Sequence, residues 1–418
     1  MPRTLRSTEI TLNANRHRGL AMRLPLMKFK RAFGSKCFFA FIVRTAVLIF
    51  VSLLSPTVGY AESIRVAIFE RQLGVTIFAP GGVLLKEPGG PSWRQYTSEA
   101  KISPISGGIR VNTHQYSVQV LTIRGKTGTL KVNDLWVRGS VKIIKRHGRF
   151  LVVNNLDIEE YLVGVLLGEI PSAWPLESLK VQAIASRTYA LYQRSRERYE
   201  HYDLVATTLD QVFTGALSPN PTAFERRSRA KVVRAVNATR GQFMTFNGQP
   251  ILAAFHSTAA GQTEDALQVW LEDIPYLTGV ACPWDYQSKF YDWTREIQIT
   301  TLEQRLRNHG HRVGVVASIT PMVMTRSDRV GSLRILHSNG ELIIRGESFR
   351  KAVGYTALLS TNFEIEHFGK NIVFRGKGAG HGVGLCQWGA KELAESGFNM
   401  HSILQYYYPG VSIQRLRR

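Results

Sequence analysis

The sequence has few cysteines, few acidic residues and few long apolar runs. With 3 cysteines in 418 residues, it is not a disulfide-rich scaffold. Beyond residue 61 it has no uninterrupted apolar run of 18 residues, so no membrane span is expected there. It also lacks internal repeats and low-complexity segments. These absences leave a globular chain, long enough to bury a sizeable core.

The first 61 residues have the composition of a secretory signal peptide. A basic stretch over 1–36 precedes an apolar stretch over 37–54, which only Arg44 interrupts, and Gly59 and Ala61 provide small residues for cleavage after Ala61. The alternative is an uncleaved anchor, but Arg44 divides the apolar stretch below spanning length. We therefore expect an exported protein, in the periplasm or at the cell wall, whose only membrane contact is through this leader.

Basic residues outnumber acidic ones throughout the chain. The full sequence has 53 Lys and Arg against 31 Asp and Glu, and residues 62–418 keep 43 against 30, a net charge of +13. Such a charge favours anionic surroundings, for example a cell-wall polymer or lipid headgroups. No DNA- or RNA-binding motif is present, so no nucleic-acid partner is predicted.

Hydrophobic periodicity divides the rest of the chain into regions. Short alternating stretches over 62–149 predict a β-rich N-terminal segment. Residues 150–412 mix helical and strand patterns and form the candidate catalytic region, within which 286–369 is predicted to be an inserted lobe. This mixed order predicts an α+β fold. Local signals predict a capping box at Asp157 and Glu160, helices from Pro175 to about 199 and from about 221 to 239, and hairpin turns at Asn247-Gly248 and Asn339-Gly340.

One carboxylate occupies a position where an apolar residue is expected. Helical spacing from Leu162 and Leu166 places Glu169 on the apolar stripe, immediately before the turn IPSAWP. Partial burial there would raise the pKa of the carboxyl. Lys180 and Arg187 are seven positions apart on the next helix, about 20° from the same face, and are expected to point toward Glu169 or a substrate. A buried Glu–Arg pair with a purely structural role is the alternative.

Two histidines lie in segments that suggest a binding site. His256 and Ser257 follow an apolar strand, and His381 lies in the glycine-rich segment GKGAGHGVGLCQWGA. Glycines allow close approach of the backbone to a ligand, although the segment matches neither a Walker loop nor a dinucleotide-binding fingerprint. A structural histidine and a tight packing turn are the respective alternatives.

The histidines and cysteines also offer metal-ligand and nucleophile chemistry. His256, Cys282, His381 and Cys386 are suitable zinc ligands, but no CxxC or HxxxH spacing joins them. Cys386 with His381 as a base is a second possibility, for which no orienting group is evident. Cys282 and Cys386 are also the two thiols that an exported protein can link as a disulfide.

Several motifs together resemble the SpoIID/LytB family. The resemblance rests on YLVGVLLGEIPSAWPLESLKVQAIASRTYAL, DQVFTG, AVNATRGQFMTFNGQPILAAFHSTAAGQTE, GAGHGVGLCQWGAKELAESG and YYYPG, which follow one another in the family's order. They cover most of 150–285 and 370–412, whereas 62–149 and 286–369 match only loosely.

The resemblance implies a protein that acts on peptidoglycan. The family's sporulation member resembles a lytic transglycosylase that cleaves glycan strands lacking stem peptides, and its catalytic acid corresponds to Glu169. Supporting cations correspond to Lys180 and Arg187. The remaining matched positions, which we predict to bind substrate, are His256, Ser257, His381 and Gln387. Zinc occurs in some members, but its ligands cannot be assigned residue by residue in this sequence, so zinc stays an open alternative and no cofactor is predicted.

The sequence leaves alternatives for the number of catalytic carboxylates and for the functional class of the protein. Most glycosidases use two carboxylates, and Glu264 and Asp265 are the candidates for a second one. LytB-type relatives resemble amidase enhancers, which bind the wall and stimulate an amidase without cutting glycan. A wall-binding scaffold without activity is the third reading.

Overall fold

A computed structural model describes residues 62–416, so the predicted signal peptide lies outside the described residues. The strands of the N-terminal half are β1 (Ser63–Gln72), β2 (Val75–Phe78), β3 (Val83–Lys86), β4 (Arg94–Gln95), β5 (Glu99–Ile105), β6 (Gly108–Val111), β7 (His114–Tyr116), β8 (Val120–Val132), β9 (Leu135–Arg146), β10 (Arg149–Asp157) and β11 (Leu204–Val205). The helices are α1 (Ile158–Glu169), α2 (Leu176–Ser195), α3 (Ala223–Ala238), α4 (Ala266–Trp270), α5 (Ile299–Asn308), α6 (Gly346–Val353), α7 (Gln387–Glu395) and α8 (Met400–Tyr407).

The remaining strands are short, except in the region predicted to be a lobe. They are β12 (Gln242–Phe246), β13 (Gln249–Pro250), β14 (Phe255–His256), β15 (Gly261–Gln262), β16 (Ala281–Cys282), β17 (Asp292–Gln298), β18 (Val316–Met324), β19 (Val330–His337), β20 (Gly340–Arg345), β21 (Asn362–Phe368), β22 (Asn371–Lys377), β23 (Leu385–Cys386) and β24 (Ser412–Arg415). Among residues 62–416, no helix is long and apolar enough to cross a membrane.

The alternating sequence of the N-terminal segment forms one large sheet. Its strand order is β11-β1-β10-β9-β8-β2-β5-β6-β7, with β3 and β4 attached through β8. Neighbouring strands are antiparallel, apart from the parallel β1–β11 pair. One face packs against α1, α2 and α3 in the largest hydrophobic core, because strands with alternating burial have an apolar face to cover.

Two of the first three helices begin at side-chain caps, whereas α2 follows Pro175 without one. Asp157 accepts hydrogen bonds from the backbone N–H groups of Glu159 and Glu160 at the start of α1. Glu160 pairs with Arg229 on α3 at 3.0 Å, so the predicted reciprocal box at Asp157 is only half formed. A complete capping box occurs at α3, between Thr222 and Glu225.

Two further cores organise the rest of the chain. One joins α2, α7 and α8 with the strands around His256 and Cys386. The other consists only of residues between Trp293 and Phe374, where β17, β21 and β22 form one sheet and β18, β19 and β20 form another. The predicted turns occur in the hairpins β12–β13 and β19–β20. The structure confirms the α+β fold class, while the exact domain boundaries stay a prediction.

Candidate active site

The candidate acid lies at the point where α1 ends. Glu169 is the last helical residue, and Ile170 adopts an extended conformation with φ −137°. The helix stops there because Ile170 precedes Pro171, and the residue before a proline is disfavoured in the helical region. A carboxylate at a helix C-terminus faces the negative end of the helix dipole, which disfavours its ionised form.

A backbone N–H from a distant segment reaches the Glu169 carboxyl group. Val212 N–H donates to Glu169 Oε1 at 2.7 Å. This approach requires Gly164 and Gly168 on α1: a Cβ on Gly168 would lie 2.8 Å from Val212 O, and one on Gly164 would lie 2.5 Å from the Phe213 ring. The two glycines therefore let the DQVFTG segment pack directly against the helix that carries the acid.

The surroundings of Glu169 favour its protonated form near neutral pH. Burial raises the pKa of Glu169 to about 7, and hydrogen bonds from Val212 N–H and the Gln387 side chain oppose that rise only partly. Gln387 is the first residue of α7 and is itself buried. Its amide donates to Gln182 Oε1 on α2 at 3.4 Å. Glu169 can therefore donate a proton at neutral pH and accept one back.

The raised pKa predicts that Glu169 lowers stability in alkaline solution. The unfolded carboxyl ionises near 4.5 and the folded one near 7, so the free energy of unfolding falls as pH rises from about 4.5 and levels off above about 7. The loss is up to about 3 kcal/mol. Glu169→Gln keeps an acceptor for Val212 N–H, so its melting temperature should exceed the wild type's at pH 8 but not at pH 4. Calorimetry of both proteins at pH 4 and pH 8 measures these melting temperatures. The same difference between variant and wild type at both pH values would contradict the prediction.

The structure corrects the predicted position of Arg187. Its guanidinium is fully buried and pairs with Glu159, from Nε to Oε1 at 3.1 Å and from Nη2 to Oε2 at 2.6 Å. Nη1 donates to the Gln242 carbonyl at 2.9 Å. Arg187 therefore joins α1, α2 and β12, and it has no exposed surface for a substrate. The structural ion pair of the alternative reading exists, with Glu159 in place of Glu169.

Lys180 also has a different partner from the one expected. Its ammonium pairs with Glu177 Oε1 at 2.6 Å, one turn earlier on α2. The other carboxylate oxygen of Glu177 accepts the Met400 N–H at 3.0 Å. Within residues 62–416, Glu169 forms no ion pair with a Lys or Arg at 4.0 Å or less, which agrees with its raised pKa. Within residues 62–416 neither cation pairs with Glu169, and contact of Lys180 with a substrate stays a prediction.

The two histidine motifs come together through a short pair of parallel strands. Phe255 and His256 pair with Leu385 and Cys386. His256 Nδ1 lies 3.1 Å from the Val383 carbonyl, and the rings of His256 and His381 are 5.7 Å apart. Burial lowers the pKa of His381 to about 3, so both rings are neutral in the folded protein at neutral pH. His256 is held by the backbone, which its structural alternative predicts, and the Val383 N–H donates to His381 Nδ1 at 3.0 Å.

Ser257 connects this region to the acid-bearing one. Its carbonyl accepts the Trp388 N–H at 3.1 Å, directly after Gln387. The Trp388 and Trp174 rings meet edge to face with centroids 5.1 Å apart, so an aromatic pair joins the turn after Glu169 to α7. The sequence analysis missed Trp174 and Val212, although both lie inside motifs that it had quoted.

The structure does not assemble either a Cys386 nucleophile or a zinc site that includes both histidines. Burial raises the pKa of the Cys386 thiol well above its usual value, and Cys386 Sγ lies 3.4 Å from Asp285 Oδ2. A thiol held neutral is a weak nucleophile. Of the four proposed zinc ligands, the two cysteines come together with Asp285, while His256 and His381 stay outside that cluster.

Neither candidate for a second carboxylate is free. Glu264 is buried and accepts hydrogen bonds from the Thr325 and Ser327 hydroxyls. Asp265 caps α4 through the Leu267 N–H at 2.8 Å. Both candidates for a second carboxylate therefore already have structural partners, and Glu169 remains the candidate acid.

Comparison with known proteins agrees with the motifs. A family described as Stage II sporulation protein matches residues 146–246, and a domain of unknown function matches 281–384. The chain is 34% identical over 271 residues to Stage II sporulation protein D of Bacillus subtilis, covering 62% of this chain and 75% of that protein. It is 31% identical over 307 residues to an uncharacterized protein of Brachyspira hyodysenteriae, covering 73% and 79%. It is 27% identical over 301 residues to the Amidase enhancer of Bacillus subtilis, covering 60% and 40%.

Proposed function

Since this chain belongs to the SpoIID/LytB family, we propose that it is a lytic transglycosylase acting on peptidoglycan. The bond that it would cleave joins MurNAc to GlcNAc in glycan strands that lack stem peptides. The observation that carries the proposal is Glu169, a largely buried carboxyl with a pKa near 7 and no cationic partner among the described residues. An acid with these properties suits proton donation at the pH of a bacterial envelope.

A single carboxyl is enough for this reaction because the substrate supplies the nucleophile. Glu169 protonates the glycosidic oxygen, and the bond from that oxygen to C1 of MurNAc breaks as an oxocarbenium-like state forms. The resulting Glu169 carboxylate takes the proton of the MurNAc 6-hydroxyl, whose oxygen bonds to C1. The products are a 1,6-anhydro-MurNAc end and a free GlcNAc 4-hydroxyl, and no water is consumed.

The Val212 N–H and the Gln387 amide assist the first half of this cycle. Each stabilises the Glu169 carboxylate that forms after proton donation, since hydrogen bonds to a charged group favour it. Burial favours the return to the acid. The pKa near 7 results from this balance, so both the acid and its carboxylate are populated at neutral pH.

The proposed location is the cell envelope. The order of basic, apolar and small residues in the first 61 positions supports export, and the net charge of +13 that follows supports contact with anionic wall polymer. Glycan strands are the proposed partner, with a cell-wall amidase as a second.

A role as amidase enhancer is the second candidate. It is favoured by the similarity to the Amidase enhancer of Bacillus subtilis, over 60% of this chain. An enhancer needs a binding surface but no acid, so the raised pKa of Glu169 would be incidental. Wall binding by the basic surface fits both functions and does not distinguish them.

A digest of purified glycan separates these functions. The purified protein is expected to release 1,6-anhydro-muramyl ends from peptide-free glycan strands, and fewer from strands that keep their stem peptides. Mass spectrometry distinguishes anhydro ends from reducing ends. Reducing ends would mean that water attacks, which contradicts the one-carboxyl mechanism. If no glycan product forms but an added N-acetylmuramoyl-L-alanine amidase is stimulated, the transglycosylase proposal is rejected in favour of the amidase enhancer.

A further inference from the structure

Three buried ligand atoms meet at one point outside the active site. The sulfurs of Cys282 and Cys386 and a carboxylate oxygen of Asp285 all lie within 4.8 Å of one another. All three residues are fully buried. We propose that Cys282, Asp285 and Cys386 hold a zinc ion that fixes the start of α7. Thiolate and carboxylate are both ordinary zinc ligands, and Cys386 Sγ lies 3.4 Å from Asp285 Oδ2, a separation that suits two ligands of one tetrahedral centre.

Two of the ligands have the spacing of a zinc knuckle. Cys282 and Asp285 are separated by two residues and flank the start of a 3-10 helix over Pro283–Gln287, which Cys282 precedes as its cap. Two-residue separation is common between zinc-binding cysteines, because a tight turn then directs both side chains to one point. Here a carboxylate takes the second place. Asp285 was not predicted from the sequence, because only His and Cys residues suggested zinc ligands there.

The third ligand comes from a segment about a hundred positions later. Cys386 is the cap of α7, and Gly389 in the first turn donates its N–H to Cys386 Sγ at 3.4 Å. A Cβ on Gly389 would lie 2.5 Å from Cys282 Sγ. Only a glycine therefore allows the two sulfurs to approach across the first turn of this helix.

Backbone N–H groups donate hydrogen bonds to two of the three ligands. Ala259 donates to Cys386 Sγ at 3.3 Å, while Ala260 and Gly261 donate to the two carboxylate oxygens of Asp285 at 2.7 and 3.3 Å. Such donors orient metal ligands and stabilise their anionic forms. Burial and the neighbouring Cys282 and Asp285 raise the pKa of Cys386. A divalent cation offsets that cost, since a coordinated thiol loses its proton.

The ion would connect the metal cluster to the acid through one residue. Gln387 directly follows Cys386 and contributes a hydrogen bond at Glu169. Fixing Cys386 against Cys282 and Asp285 therefore fixes the first turn of α7, and with it the Gln387 amide. This positioning role rests on the proposed function, whereas the metal site itself does not.

Elemental analysis of the purified protein tests the site without an activity assay. About one zinc per chain is expected to remain after dialysis against metal-free buffer. Cys282→Ser, Cys386→Ser and Asp285→Asn should each reduce bound zinc at least tenfold. Asp292→Asn is the matched control, since that carboxylate is exposed on the nearby strand β17, and it should keep the metal.

The wild-type protein alone decides the proposal if the variants fail to fold. Substitution by cobalt should produce thiolate-to-metal charge-transfer absorption, which surface binding does not produce. A metal-free protein with two reactive thiols after denaturation would overturn the proposal. A chain two hydrogen masses lighter, with a Cys282–Cys386 disulfide, would overturn it as well. If the protein binds zinc but does not cleave glycan, the zinc-site proposal is supported and only the transglycosylase proposal is rejected.

Discussion

Glu169→Gln is expected to lower the release of 1,6-anhydro-muramyl ends by about a hundredfold to ten-thousandfold, the range that a general acid supplies. The amide keeps an oxygen for the Val212 N–H, which donates at 2.7 Å in the wild type. It cannot supply a proton to the glycosidic oxygen. Initial rates from mass spectrometry of the digest, with circular dichroism to verify folding, measure this effect.

Glu160→Gln is the matched control for this experiment. Glu160 lies on the same helix, but its carboxylate is partly exposed and pairs with Arg229 and Arg138. Its replacement should leave the cleavage rate unchanged. Undiminished cleavage by Glu169→Gln would reject Glu169 as the acid. Loss of cleavage in both variants would point to damage of α1 rather than to lost chemistry.

Arg187→Met is expected to destabilise the protein by about 3–5 kcal/mol, the usual cost of leaving one member of a buried ion pair alone. Among the described residues, the variant leaves the Glu159 carboxylate with the Gly241 N–H, at 3.0 Å, as its only hydrogen-bond donor. It also removes the hydrogen bond to the Gln242 carbonyl. Denaturant unfolding measures the loss. Because Arg187 is fully buried, we expect cleavage by the folded fraction to persist.

Two variants test the cause of that destabilisation. Arg194→Met lies on the same helix, but the ion pair of Arg194 with Glu62 is about one-third exposed, so it should cost about 1 kcal/mol or less. Glu159→Met combined with Arg187→Met removes both charges and should recover most of the stability. A folded Arg187→Met variant that binds glycan more weakly would instead support the substrate contact predicted from sequence.

Local signals in the sequence were enough to locate most of the elements around the acid. Asp157 caps α1, and Asn247-Gly248 turns a hairpin. These features depend on residues within four positions of one another, so their energetics can be read from short stretches. The same holds for Glu169, whose place on an apolar stripe follows from helical periodicity.

Partners far apart in sequence could not be predicted. Arg187 and Glu159 are 28 positions apart, and Val212 and Glu169 are 43 apart. Helical geometry indicated that Lys180 and Arg187 share a face, but it did not indicate which helix lies opposite. The guanidinium meets the start of α1, where Glu159 lies, and not its end, where Glu169 lies.

The sequence by itself determined the α+β class, the helix that ends at Glu169 and the family whose motifs surround it, because periodicity and motif order are properties of neighbouring residues. Only the tertiary structure decided which groups meet. Packing brought the Val212 N–H and Gln387 to Glu169, and it brought Asp285 to the two cysteines. It also enclosed Arg187 with Glu159. The physical reason is that a pKa or a ligand set depends on burial and on contacts between distant segments, which only the folded chain brings together.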